Sequence, residues 1–427
     1  MAPEITRISS REILDCRGLP TVQVDLWLDG RLAGRADAPS GRSTGANEAF
    51  EMRDGGTRFG GFGVQSAVGR IHERIAPALV GSTLTSQKTF DEVLLELDGT
   101  ADKSALGANA MIAVSLAGAR ALAAHHEMPL YQWISPDSHI LPVPQVNLIN
   151  GGKHASNDLD FQEFCIMPVG AGSFLGALQI ATEVNLALAE ILLARFGKVA
   201  LNTGDEGGYA PPMSDPEEAL GLLHEAVEAA GYREECVYSL DCAATHFYDA
   251  DRGTYTVAGR TLDTDGLIGL YEGLIAEFGI VSIEDPLQEE DFAGWAEATL
   301  RTGIQIIGDD LLVTNPKRVE RAIELGSANS LLWKTNQIGT LSEAFDASEL
   351  AYRHGWSVVV SERSGETEDP IIADLVVGIG AGQIKTGAPV RGERTAKYNR
   401  LIQIEEELGS TARFAGKDYR HPGLLRK

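Results

Sequence analysis

Six short apolar runs end on charge. Val237-Tyr-Ser-Leu closes on Asp241, Ile280-Val-Ser-Ile on Glu284, and Ile304-Gln-Ile-Ile-Gly on Asp309. Ser330-Leu-Leu-Trp closes on Lys334, Val358-Val-Val-Ser on the pair Glu362-Arg363, and Gly382-Gln-Ile on Lys385. Three carboxylates brought together without a partner repel, and a divalent cation relieves the repulsion. Hard oxygen donors without clustered His or Cys select magnesium over zinc. The second acids in Glu284-Asp285-Pro286 and Asp309-Asp310 either orient the first or cap the helix that follows. A lysine beside a cation and a second lysine is pushed toward its neutral form and can serve as a base. The other lysine stays charged and holds an anionic oxygen.

These residues need elements that bring them to one place. The intervals between the six ends are 43, 25, 25, 28 and 23 residues. A strand, a helix and two loops fit in about 25 residues, so the pattern is a βα repeat and points to a parallel barrel. The longer first interval leaves room for an inserted hairpin. Strand interiors in such barrels are expected to be apolar, and the carboxyl ends form the mouth where barrel enzymes place their chemistry. Upstream, Thr21-Val-Gln-Val-Asp-Leu-Trp-Leu alternates with period two and meets a hairpin turn at Asp29-Gly30. Ala108 to His125 reads as a helix. The stretch from Ser135 to Pro144 carries three prolines and reads as a linker. The fold class expected is α/β, with an N-terminal α+β capping domain over 1–135 and a β/α-barrel catalytic domain over 140–427.

Composition narrows the function further. The chain has 427 residues and a formal net charge of −25, which argues against a nucleic-acid binder. No run of 18 to 20 apolar residues stands out as a membrane span, and the first residues lack a signal-peptide pattern. The four cysteines form no C-x-x-C pair, so reduced thiols in a cytoplasm and no structural zinc are expected.

Longer motifs surround these ends. They include Leu97-Asp-Gly-Thr, Leu106-Gly-Ala-Asn-Ala, Asn150-Gly-Gly-Lys-His-Ala, Gln162-Glu-Phe and Gly204-Asp-Glu-Gly-Gly. Others are Ser282-Ile-Glu-Asp-Pro, Asn336-Gln-Ile-Gly-Thr, Arg363-Ser-Gly-Glu-Thr-Glu-Asp and Gln383-Ile-Lys-Thr-Gly-Ala-Pro. Over essentially its whole length the chain resembles the enolase family, in whose superfamily a lysine or histidine base and magnesium ions form an enediolate. The resemblance implies that Asp241, Glu284 and Asp309 hold a first Mg2+. It also implies that Ser40, on a mobile loop, helps hold a second ion arriving with substrate. Lys334 would be the base and Lys385 the contact to the substrate carboxylate. Glu206 with Glu163 would help the hydroxyl depart. Arg363 and Ser364 would meet the phosphate, Gln162 would line the substrate site, and His154 would close over it. A homodimer or larger homo-oligomer and a small phosphorylated or phosphonylated carboxylate substrate are also implied, with no nucleic-acid or membrane partner.

Four departures from the family pattern stand out. Glu362 replaces the histidine usual before Arg363, and as a third carboxyl near Glu163 and Glu206 it is expected to act as an acid. Trp333 and Thr335 flank the base. Arg42 replaces a small residue in the mobile loop, where it would reach an extra carboxylate of the substrate. Leu19 precedes Pro20 in place of asparagine, and Pro370 follows Asp369. Because the changes crowd the reacting atoms, the favoured expectation is a specialised carboxyphosphonoenolpyruvate synthase of phosphonate antibiotic biosynthesis. The alternatives are ordinary dehydration of 2-phosphoglycerate to phosphoenolpyruvate, and a non-catalytic scaffold whose one cue is Lys427.

Overall fold

A computed structural model describes residues 2–42, 44–421 and 423; Ser43 and Lys427 lie outside them. The chain opens with an antiparallel meander of β1 (Ile5–Leu14), β2 (Pro20–Leu28) and β3 (Arg31–Asp37). Asp29 and Gly30 turn the chain between β2 and β3 with φ of 50° and 78°, both in the left-handed region that a two-residue hairpin turn requires. Val22, Val24 and Leu26 are buried, as are most residues of the helix Ala108–His125, which packs on the sheet. An added Cβ at Gly34 would stand 2.0 Å from the Ala117 carbonyl oxygen, so the helix backbone lies directly against β3.

Eight strands close the barrel: β4 (Val143–Asn150), β5 (Glu163–Met167), β6 (Val237–Asp241), β7 (Ile280–Glu284), β8 (Gln305–Gly308), β9 (Ser330–Trp333), β10 (Ser357–Ser361) and β11 (Gln383–Lys385). They follow one another in sequence order around the ring, and β11 pairs with β4.

The barrel departs from the expected one in three ways. First, β4 begins inside the proline-rich stretch read as a linker, and all eight of its residues are buried. Second, β5 runs antiparallel to both neighbours. The segment joining β4 to β5 holds one short helical turn, Gly152–His154, and no crossover helix, so the chain reverses instead of passing back over the barrel. Third, the interior is not wholly apolar. Gln305 donates to the hydroxyls of Ser330 and Ser357, each at 3.0 Å, and Gln145 donates to Gln383 at 3.1 Å. These groups are buried and pair with one another in part, while Gln305 Oε1 and Gln383 Nε2 have no hydrogen-bond partner among the described residues.

The 43-residue interval after β6 contains a small three-stranded sheet, Tyr248–Asp249, Thr254–Val257 and Arg260–Leu262. The helix Phe174–Phe196 is long and apolar enough to cross a membrane, which the reading of the sequence did not anticipate. In the fold it buries Ala177, Ala181, Val184 and Leu188 and packs against the helices Pro216–Ala229 and Gly392–Leu408.

Candidate active site

Strand register lines up the acids. Asn150 pairs with Glu163, Glu163 with Asp241, and Asp241 with Glu284, in one row across β4 to β7. The antiparallel β5 starts where its neighbours end, which is how Glu163 enters this row. Asp309, Lys334 and Glu362 stand just after β8, β9 and β10, and Lys385 ends β11. All of them are buried.

Two ammonium groups hold the acids. Lys385 Nζ lies 2.8 Å from Asp241 Oδ2, 2.8 Å from Glu284 Oε2 and 3.1 Å from Glu163 Oε1. Lys334 Nζ lies 2.6 Å from Asp309 Oδ2. Burial disfavours the charged form of both lysines, but the carboxylates outweigh it. Both are therefore held above the usual lysine range, Lys334 chiefly by Asp309 and Lys385 chiefly by Asp241. Asp309 therefore works against the neutral amine expected at Lys334. Burial and then Asp241 push Glu284 well above the carboxylate range.

Asp241, Glu284 and Asp309 do not form one tight trio. Among the described residues, the His, Cys, Asp and Glu groups of three or more with ligand atoms all within 4.8 Å of one another are Asp285–Asp309–Asp310 and His154–Glu163–Glu206. The set still fits a hard divalent cation. Its donors are carboxylate oxygens, and the buried Glu284 Oε1 has no hydrogen-bond partner among the described residues. Asp285 accepts from the backbone N–H groups of Asp309 at 2.8 Å and Asp310 at 2.9 Å, so it orients the ligand strand end. Gln162 donates to Asp241 Oδ2 at 3.1 Å, and Gln337 to Asp309 Oδ1 at 2.7 Å.

A second acid centre sits beside the first. His154 Nδ1 lies 3.2 Å from Glu206 Oε1, and Asn147 donates to Glu206 Oε2 at 3.0 Å. His154 is buried, although a histidine in a glycine-rich loop reads as a surface residue. Burial lifts both carboxyls, but they part ways. Glu163 is raised further by Glu206, whereas His154 and the contact with Glu163 pull Glu206 well below the usual range. The two carboxyls are thus driven apart, Glu163 toward its protonated form and Glu206 toward its ionised form. Glu362 Oε2 lies 2.5 Å from Arg394 and accepts from Thr386 at 3.1 Å. Burial, opposed by Arg394, pushes Glu362 up to about 8.

The loop after β3 lies over the mouth. Ser40 pairs with Gly365 as an isolated antiparallel bridge, and the Arg42 backbone donates to Ser364 Oγ at 2.8 Å. The Ser40 hydroxyl accepts from Arg53 at 2.7 Å and Arg17 at 3.1 Å and donates to Glu51, so it is engaged away from the acidic row. Arg42 reaches Asp205, 2.7 Å away, and half of its side chain is exposed. It braces the loop beside Glu206 and already has a carboxylate within the chain.

Arg363 forks onto Glu48, with both nitrogens at 3.0 Å, and donates to Asn336 at 2.9 Å. Glu48, Asn336, Gln337, Thr386 and Arg394 were missed as individuals. Asn336, Gln337 and Thr386 stood inside motifs already singled out, whereas Glu48 and Arg394 carried no local signal. A cavity of about 270 Å³ lies between Gly41, Thr44 and Gly45 on one side and Glu48, Asn336 and Arg363 on the other. Leu19 contributes its backbone N–H to Asp15 at 3.0 Å, a contact that does not depend on side-chain type.

Comparison with known proteins agrees with this geometry. Residues 5–134 match the family model described as "Enolase, N-terminal domain", and residues 138–422 match "Enolase, C-terminal TIM barrel domain". The chain is 52% identical over 421 residues to a protein named Enolase from Methanococcus maripaludis, covering 98% of this chain and 99% of that one. It is 52% identical over 426 residues to Enolase from Thermococcus kodakarensis, with 99% of each covered. It is 53% identical over 420 residues to Enolase from Methanocaldococcus jannaschii, covering 98% and 99%.

Proposed function

The chain belongs to the enolase family, and from that premise we propose that it dehydrates 2-phosphoglycerate to phosphoenolpyruvate. The observation that carries the reading is a pair of buried lysines set among one row of carboxylates at a barrel mouth. Asp241, Glu284 and Asp309 would hold Mg2+, and a second ion would arrive with substrate. Bound there, the cations would offset the negative charge that builds on the substrate carboxylate. Were Asp309 engaged in holding a cation, Lys334 would be relieved of the carboxylate that holds its proton and would serve as the buried amine base for the proton on carbon 2. Lys385 keeps its charge and faces the substrate carboxylate. Gln162 holds Asp241, and His154 holds Glu206 at the end where the hydroxyl leaves. Arg363 and Ser364 take the phosphate, a guanidinium fork matching its paired oxygens; that fork also meets Glu48.

We place the boundary between a capping unit over 1–135 and a catalytic unit over 140–427. The protein is read as a cytoplasmic homodimer or larger homo-oligomer; four free thiols support that compartment. The named relatives favour this hydratase reading over carboxyphosphonoenolpyruvate synthase. The synthase reading rests on Glu362 alone, since Arg42 is already paired with Asp205. The test is to add 2-phosphoglycerate and Mg2+ and follow ultraviolet absorbance of the enol product. Turnover of at least about 10 s⁻¹ is expected, the middle of the enzyme range. Slow turnover that rises in Glu362→His would instead favour the synthase, and absence of both turnover and carbon-2 proton exchange would favour a scaffold.

A further inference from the structure

Glu362 stands at the end of β10 and meets four elements. Arg394 and Tyr398 face it from the last helix, Gly392–Leu408, and Thr386 from the loop after β11. Glu206 acts on it from the loop after the helix Phe174–Phe196, and Glu366 from its own loop. Among the described residues only one of its two carboxyl oxygens is used: Oε2 takes Arg394 and Thr386, while Oε1 is buried without a hydrogen-bond partner. A buried carboxyl oxygen left bare costs free energy unless a ligand completes it. Its place is next to the acid pair. The Glu206 backbone oxygen and Glu362 Oε1 lie 2.6 and 2.9 Å from the point where a Cβ on Gly387 would sit. Gly387 has φ of 76°, so glycine both permits this turn and leaves room for the carboxyl.

Arg394 is fully buried and ties two loops to that carboxyl. It donates to the Arg363 carbonyl at 2.8 Å, the Ser364 carbonyl at 2.8 Å and the Asp205 carbonyl at 3.1 Å. One guanidinium thus fixes Glu362 relative to both the phosphate contacts and Glu206.

We propose that Glu362 Oε1 meets the departing hydroxyl of the substrate and delivers its proton, and that Arg394 is the positioning residue that aims it. The inference rests on the hydratase reading and names the acid within it. As the electron pair left on carbon 2 closes the carbon–carbon double bond, the bond from carbon 3 to oxygen breaks and its pair leaves with the oxygen. That oxygen takes the Glu362 proton and departs as water. Glu362 remains as a carboxylate paired with Arg394 and regains a proton from solvent. The group must be protonated to act, and its lift toward pH 8 keeps it so at neutral pH. Activity should therefore fall as pH rises through that region.

The experiment uses the full chain with Mg2+. Glu362→Gln keeps an acceptor for Arg394 but carries no transferable proton. It should lower kcat for dehydration at least about 100-fold, within the range for loss of a general acid. Exchange of the carbon-2 proton with D2O should stay within about threefold, and the alkaline limb of the pH profile should disappear. Arg394→Lys should lower kcat more than it raises KM. Equal loss of exchange and dehydration in Glu362→Gln, or an unchanged pH profile, overturns the proposal. If the wild type neither dehydrates 2-phosphoglycerate nor exchanges its proton, the hydratase reading fails by itself. The Glu362 assignment is then judged by calorimetry with 2-phosphoglycerate and 2-phospholactate, which lacks the hydroxyl. At least tenfold preference for the hydroxylated ligand, lost in Glu362→Gln, keeps it, and equal affinities overturn it.

Discussion

At the scale of single residues, the charges at strand ends were readable but their partners were not. Asp241, Glu284, Asp309, Lys334 and Lys385 announced themselves because charge is out of place at the end of an apolar run. Gln337 did not, since a glutamine in a loop looks like ordinary surface. In the fold it is fully buried, donates to Asp309 Oδ1 at 2.7 Å and accepts from the Thr314 hydroxyl at 2.7 Å. It thereby fixes which Asp309 oxygen remains for Lys334 or a cation. Loss of such an orienting partner typically costs 10- to 100-fold in metal affinity. Gln337→Leu should therefore raise the Mg2+ concentration for half-maximal activity by roughly that factor, with substrate saturating. An unchanged Mg2+ dependence would show that Asp309 needs no such brace. Ser40 shows the same limit. A serine in a glycine-rich loop gave no hint that Arg17 and Arg53 would both claim its hydroxyl.

At the scale of elements, the βα spacing disclosed six of the eight barrel strands and hid two. β4 is hidden by Pro142 and Pro144, which read as breakers, yet β4 is buried throughout. β5 is hidden because no helix separates it from β4, so no 25-residue interval marks it. Trp333 shows how an element explains a departure that looked functional. It is fully buried and donates through Nε1 to the Ala344 carbonyl at 2.5 Å. Its ring stacks on Phe345 with centroids 6.1 Å apart. Both partners belong to the helix Leu341–Arg353, so the indole fastens β9 to its own helix. Trp333→Phe removes the donor and part of the volume, which should cost about 1–3 kcal/mol. Thermal unfolding should drop by a few degrees at fixed Mg2+. No change in midpoint would mean that the indole contributes nothing beyond a phenyl ring.

At the scale of the whole molecule, the site sets burial against charge. Asp241, Glu284 and Asp309 come from three successive strand ends, and the lysines that balance them come from two others. Ammonium groups thus hold the barrel mouth together, while Glu284 Oε1 has no hydrogen-bond partner among the described residues. The pKa of Glu284 is raised in the fold, so the ionised group destabilises it above the unfolded-state value. That cost is absent at acid pH and grows as pH climbs toward the folded value. Two effects of opposite sign follow for Glu284→Gln. The neutral amide removes the buried charge, so the metal-free protein should melt higher than wild type at pH 7.5 in EDTA. It also removes a cation ligand, so added Mg2+ should no longer help. For the wild type, Mg2+ at 100 times its dissociation constant should add about 2.7 kcal/mol and raise the melting temperature by a few degrees. Calorimetric scans of both proteins, with EDTA and with Mg2+, read the two signs separately. A Glu284→Gln protein that melts below wild type in EDTA, or that keeps the full Mg2+ increment, would show that Glu284 is a structural acid and that the cation site lies elsewhere on the barrel rim.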